Sequence, residues 1–189
     1  NYAAKPGKLY SADRSEMIWL DDQINAFLKA ATPQMRLAMI VGKETGQREG
    51  DIIDFKWKHI SGDRLKYTSS KRKRKIDMPL TKELAGALKQ ERESRTTANL
   101  DDDHILVSER FQGWSESGFQ GAWRKSFIKA GLQETGLHFH DLRGTACTNL
   151  ARAGCSDDEI GAILGWKREY VVHMRSIYEA ANPDASNTG

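Results

Sequence analysis

Apolar residues return every three or four positions across residues 11–30, where Met17, Leu20, Ile24, Phe27 and Leu28 form one stripe and predict an amphipathic helix with its face in a core. Thr32 can then cap a second helix with Pro33 in its first turn. Met35, Leu37, Ala38, Met39 and Val41 carry that helix to Gly46, a residue able to take positive φ and end it just before Arg48. From Phe55 the period changes to two: Phe55, Trp57 and His59, a Ser61-Gly62-Asp63 turn, Leu65 and Tyr67, then Ile76, Met78 and Leu80. This alternation predicts a three-stranded antiparallel meander whose second turn projects Lys71, Arg72, Lys73, Arg74 and Lys75 at a hairpin tip. Helical spacing resumes after Pro79. Thr81 can cap a helix ending near Arg95, residues 96–103 read as a polar loop, and Ser115 can cap a helix through Phe119, Trp123 and Phe127 to Gly131. Residues 140–153 form the next helix, with Leu142, Ala146, Leu150 and Ala153 on one face and Gly154 closing it. Ser156 and Glu159 have the form of a capping box for a short helix to Gly165, and a last helix is expected over about residues 171–180. The sum is a mainly α domain carrying one small three-stranded antiparallel sheet (α+β).

Composition narrows the possibilities without choosing among them. The chain has 189 residues, and its apolar and charged fractions, 39% and 29%, are those of a domain with a real core rather than a disordered segment. No apolar run approaches the roughly 20 residues of a membrane span, and the first residues lack a signal-peptide stretch, so a cytoplasmic protein is expected. The chain does not begin with Met and is read as a piece of a longer protein, with one domain over residues 1–189, a core over about 11–180 and a tail over 181–189. Cys147 and Cys155 offer neither a disulfide framework nor a paired metal signature and are read as packed thiols. Net charge is +3, which permits nucleic-acid binding without requiring it. The distribution says more. Five consecutive cations at Lys71 to Lys75 can reach a DNA backbone, although such a run alone more often marks a solvated tip. No Gly-rich phosphate loop follows a strand, so ATP and dinucleotide chemistry are disfavoured.

Three distant pieces read as one site: Thr45-Gly46-Gln47-Arg48-Glu49-Gly50-Asp51 followed by Trp57, then His140-Asp141-Leu142-Arg143, then Leu164-Gly165-Trp166 with Tyr178 beyond. In their order and spacing, over roughly residues 15–180, they resemble the tyrosine recombinase (phage integrase) family. Each piece alone is weak, since a His and an Arg one helical turn apart usually mean a surface pair. The three in order, with a basic hairpin between the first two, are specific. The resemblance implies a catalytic domain that cuts and rejoins DNA without metal or cofactor through a covalent 3′-phosphotyrosine link.

The chemistry accounts for the residue types. A phosphodiester under attack gains negative charge on its non-bridging oxygens, and planar, permanently charged guanidinium groups suit it, which assigns Arg48 and Arg143. His140 shares a helical face with Arg143, and the resemblance gives it a hydrogen-bonding or proton-transfer role. Asp51 can hold the Arg48 guanidinium or complement a helix start, and the resemblance makes it a support. Trp166 stands where many members have histidine; its indole N–H can donate to a phosphate but cannot shuttle a proton. Tyr178 is the expected nucleophile, and a phenol of ordinary pKa, about 10, must be activated to attack at neutral pH. Twelve residues separate Trp166 from Tyr178 where many members have nine, so Tyr170 stays a competitor, while Tyr10 and Tyr67 fall outside the pattern. In the family a hairpin lysine protonates the leaving 5′-oxygen, and Lys71 matches best, with Lys73 its rival. Arg72 and Arg74 can depress its pKa by like-charge repulsion. Arg72, Lys73, Arg74 and Lys75 are also read as DNA-binding.

Three other readings are weighed. A non-catalytic DNA-binding module needs no Tyr178, and a type IB topoisomerase uses similar chemistry. A metal-dependent nuclease would use Asp101, Asp102 and Asp103, yet consecutive carboxylates point apart; His138 and His140 likewise lack a third ligand at a persuasive spacing. The resemblance further implies double-stranded DNA as partner, assembly on it as a tetramer, a nucleoid-associated role in a bacterium or phage, and a separate N-terminal DNA-clamping domain expected to be absent from this chain. Weak, salt-sensitive DNA binding is expected of it.

Overall fold

The computed structural model describes residues 17–71, 73–98 and 103–181. The first helix, α1 (Asp21–Ala30), starts later than the apolar stripe suggests. Met17 to Leu20 approach it as extended chain. Trp19 is fully buried there and its indole N–H donates to the His138 carbonyl at 2.9 Å, a tertiary bond that a helix through this segment would not position. The Gln23 side chain closes the helix start by accepting from the Leu20 N–H at 2.9 Å. Residues 11–16 lie outside the described residues.

Helix α2 (Pro33–Thr45) begins on the Thr32 side-chain cap and ends on left-handed Gly46, as its sequence signals require. It is apolar on most sides and runs through the centre, packing on α1, on the short α3 (Glu49–Ile53), on α4 (Lys82–Ala98), on α5 (Glu116–Lys129) and on α6 (Leu142–Arg152). An aromatic cluster fills the space between these elements, with the Phe27 and Trp123 ring centroids 4.3 Å apart and Trp123 edge-on to Phe139 at 4.9 Å. The Ser156 and Glu159 capping box opens α7 (Asp157–Leu164), which ends on left-handed Gly165. The last helix, α8 (Arg168–Ala181), starts three residues before Val171 and packs on α6 and α7 through Val171, Met174 and Tyr178. No helix among the described residues is long and apolar enough to cross a membrane.

The sheet has the order β1 (Ile60–Ser61), β2 (Arg64–Thr68), β3 (Lys75–Pro79), antiparallel throughout, with Tyr67 opposite Ile76 and Thr68 opposite Lys75. Leu65, Ile76 and Met78 are its buried face. The alternation at Phe55, Trp57 and His59 does not become a full strand, because residues 57–59 form a 3-10 turn. Backbone bonds explain this. Trp57 donates to Asp103 at 3.0 Å and Ile105 donates to Phe55 at 2.8 Å, so this stretch pairs with the segment after α4 instead of extending the hairpin. Helix α4 itself continues to Ala98, into the stretch expected to be loop.

Candidate active site

The site is built where the ends of three helices meet. Gly46 stops α2 at φ 59°, and a Cβ there would stand 2.5 Å from Leu164 and 2.8 Å from Ala146, so both conformation and space require glycine. Gln47 is buried next to it. Its amide donates to the Thr45 carbonyl at 2.9 Å and to the Ile163 carbonyl at 3.4 Å, and its oxygen accepts from the Tyr67 hydroxyl at 2.7 Å. This fixes the loop that presents Arg48 at the start of α3, where its side chain is half-buried.

Arg143 joins all three motif segments. Buried on the first turn of α6, it donates to the Gly46 carbonyl at 2.6 Å and to the Leu164 carbonyl, and its guanidinium lies 5.4 Å from the centre of the Trp166 ring. Burial, and then the neighbouring charge of Arg48, lower its pKa to about 10, and the charge of Arg74 acts in the same direction. The group is still a cation at neutral pH, held in place by carbonyls rather than neutralised by an ion pair.

The hairpin closes over this cluster. Asp51 is buried, and its Oδ1 accepts from the Ser70 backbone N–H at 2.7 Å. Its carboxylate therefore anchors the hairpin tip, and from the first turn of α3 it also complements the helix start, one of the two roles open to it in the sequence. The other oxygen, Oδ2, is buried without a hydrogen-bond partner among the described residues. Lys71 follows Ser70 at the exposed tip, so this bond positions the expected general acid. Lys73 is exposed in the left-handed region at φ 50°, and Lys75 is exposed at the start of β3, whereas Arg74 is half-buried; Arg72 lies outside the described residues. Tyr67 lines the cluster from β2, its pKa raised by burial and by the Asp51 charge.

His140 is exposed in the 3-10 turn Phe139–Asp141, about one turn before Arg143. Tyr178 does not join the group. It is buried, its hydroxyl lies 3.3 Å from Asp21 Oδ1, and Arg152 stands 5.7 Å from its ring centre. It lines a polar cavity of about 300 Å³ with Asp21, Lys43, Glu83, Asn149 and Arg152. Burial, followed by the Asp21 charge, raises its pKa. The competitor Tyr170 is half-buried and edge-on to Trp166 at 4.9 Å. Among the described residues no group of three or more His, Cys, Asp or Glu side chains is disposed to hold a metal, and Asp103 is exposed, 3.7 Å from Lys56; Asp101 and Asp102 lie outside the described residues.

Residues 19–184 match the model of the phage integrase family. This chain belongs to that family. The integrase of Escherichia phage HK022 is 30% identical over 144 residues, which cover 71% of this phage integrase family chain and 39% of that protein. Its fold is that of tyrosine recombinase catalytic domains. XerA recombinase superposes with a TM-score of 0.69 at 22% identity, covering 89% of this chain and 64% of its own. The lambda integrase catalytic core gives 0.63 at 25% identity, covering 78% and 90%. A lambda integrase tetramer bound to a Holliday junction gives 0.61 at 25% identity, covering 79% and 45%. This member of the phage integrase family thus spans 39% of the HK022 integrase and just under two thirds of XerA. Gln47 and Tyr67 line the site with no role assigned to them in the sequence. The period-two position of Tyr67, beside Leu65, was the signal that it faces inward; nothing local marks Gln47.

Proposed function

We propose that this chain is the catalytic domain of a site-specific recombinase that cleaves and rejoins one DNA strand at a time. The observation that carries this reading is the Arg143 guanidinium, bonded to Gly46 and Leu164 and stacked near Trp166, with the half-buried Arg48 beside it. The Arg48 side chain makes no hydrogen bond or ion pair among the described residues and the Arg143 guanidinium is held by carbonyls alone, so the cluster offers cationic donors suited to an oxyanion. In the proposed step the Tyr178 oxygen attacks phosphorus, the bond to the 5′-oxygen breaks, His140 accepts the phenolic proton and Lys71 protonates the leaving oxygen. Arg48, Arg143 and the Trp166 indole N–H hold the non-bridging oxygens, and Asp51 keeps the hairpin in place. The product is a 3′-phosphotyrosine and a free 5′-hydroxyl. Bond energy is conserved, so a second 5′-hydroxyl can reverse the step without ATP. Attack requires Tyr178 to leave Asp21, and α8 is the element that moves. Double-stranded DNA is the proposed substrate, and assembly of several copies on it the proposed working state, by analogy with the lambda integrase tetramer on its junction.

The edge-on contact of Tyr170 with Trp166 favours a second reading, in which Tyr170 attacks. We prefer Tyr178, because Tyr170 already serves as the wall that supports Trp166. A labelled nicked duplex carrying the native recombination site separates them. The chain and its Tyr170→Phe variant should form a protein–DNA adduct that survives denaturation, and Tyr178→Phe should form none. An adduct lost only in Tyr170→Phe reverses the assignment. Bound DNA without adduct from the unsubstituted chain refutes strand cleavage.

A further inference from the structure

The basic run from Lys71 to Lys75 reads in sequence as uniformly solvent-facing, and the hairpin divides it. Side chains alternate across a strand, so Arg74, two residues before Ile76, belongs to the same face as Ile76 and Met78, while Lys75 and Asp77 belong to the other. The ladder continues one step beyond the strands: Ser69 donates to the Arg74 carbonyl at 2.9 Å, and Arg74 donates from its backbone to Ser69 Oγ at 3.1 Å. Ser69 is buried, and Arg74 is half-buried where Lys71, Lys73 and Lys75 are exposed. The next inward residue on the partner strand is Tyr67, whose hydroxyl rests on Gln47, the neighbour of Arg48. The inner face of the hairpin therefore delivers Arg74 toward the motif arginines.

Its surroundings are unusual for a structural arginine. The Arg74 guanidinium has neither a hydrogen bond nor an ion pair among the described residues. Its positive charge acts on both Arg143 and Tyr67, and among the groups that set the ionisation of Arg143, Arg48 and Arg74 are cations while Asp51 is the one carboxylate. Three guanidinium groups facing one carboxylate repel one another in a partly desolvated place. That arrangement is relieved when an anion enters between them.

Resting on the recombinase reading above, we propose that Arg74 is a third guanidinium of the active site, gripping a non-bridging oxygen of the scissile phosphate beside Arg48 and Arg143. It then acts on the reacting phosphate rather than on the neighbouring DNA backbone, unlike the lysines that flank it. Single-turnover adduct formation distinguishes these roles when the nicked duplex carries either the natural phosphate or a methylphosphonate, in which one charged oxygen is an uncharged methyl. Arg74→Gln should slow cleavage of the phosphate about 100-fold at saturating DNA with less than about a threefold change in Kd. On the methylphosphonate, variant and parent should differ less than about threefold. Arg74→Lys keeps the charge but not the planar fork and should lose about tenfold on the phosphate, which also serves if Arg74→Gln folds poorly. Lys75→Gln, on the outer face, should show its loss in Kd. Equal losses on both substrates, or a loss confined to Kd with a salt slope shallower by about one, would overturn the assignment. An unaffected Arg74→Gln beside an active parent refutes this inference alone, whereas no adduct from the parent on either substrate removes the strand-cleavage reading and the inference together.

Discussion

Arg143 has two duties, because the N–H groups that order its guanidinium also tie α6 to the ends of α2 and α7. Its partners Gly46 and Leu164 are separated from it by 97 and 21 residues, which is why the sequence could supply the residue type and not the contacts. Gly46 is the most sensitive neighbour. A Gly46→Ala variant combines a left-handed backbone with a Cβ 2.5 Å from Leu164 and 2.8 Å from Ala146. It should lower the free energy of unfolding by about 2 kcal/mol or more in urea titrations and slow adduct formation, since the carbonyl that Arg143 uses moves with it. Unchanged stability would mean that the α2 end relaxes freely. At this scale, the order of the motifs picked out Arg48, Arg143 and Trp166 as neighbours, and the structure brings these three together. The role of Asp51 was only half legible: its importance follows from the motif, but its bond to Ser70 depends on where the hairpin docks.

Helices were read best where a local signal fixes an end, as with the caps at Thr32, Ser115 and Ser156 and the left-handed glycines at 46 and 165. The readings that failed, at residues 17–20 and 55–59, concern backbone held by distant partners, the His138 carbonyl in one case and the Asp103 and Ile105 segment in the other. Periodicity has no access to such bonds. The position of α8 belongs to the same class, and in the proposed reaction it decides when Tyr178 is available. Asp21 accepts from the Tyr178 hydroxyl and its charge disfavours the phenolate, so it holds the helix in place and opposes ionisation at once. Asp21→Asn should therefore speed adduct formation roughly tenfold without changing Kd for DNA, given what a hydrogen bond to a charged group contributes. A slower or unchanged rate would show that α8 is held by its apolar contacts, Val171 and Met174 among them.

Five of the 29 Lys and Arg residues fall consecutively at positions 71–75 of the sequence, so the net charge of +3 understates the local potential there. Binding to the recombination-site duplex should weaken steeply with salt, with a slope of log affinity against log salt of about −3 or steeper if the hairpin side chains reach phosphates. A slope near zero would place the DNA elsewhere. The arrangement also bears on how the reaction proceeds in time. Among the described residues one amide-to-carboxylate bond, Ser70 to Asp51, joins the hairpin tip to the body. A bond of that kind favours the docked form over the undocked by roughly one to two orders of magnitude, not without limit. In the proposed reaction Lys71 then serves the site only in the docked form. On that proposal turnover is a product of occupancy and chemistry, and whatever presses the hairpin inward or draws it away should set the rate like a dimmer rather than a switch.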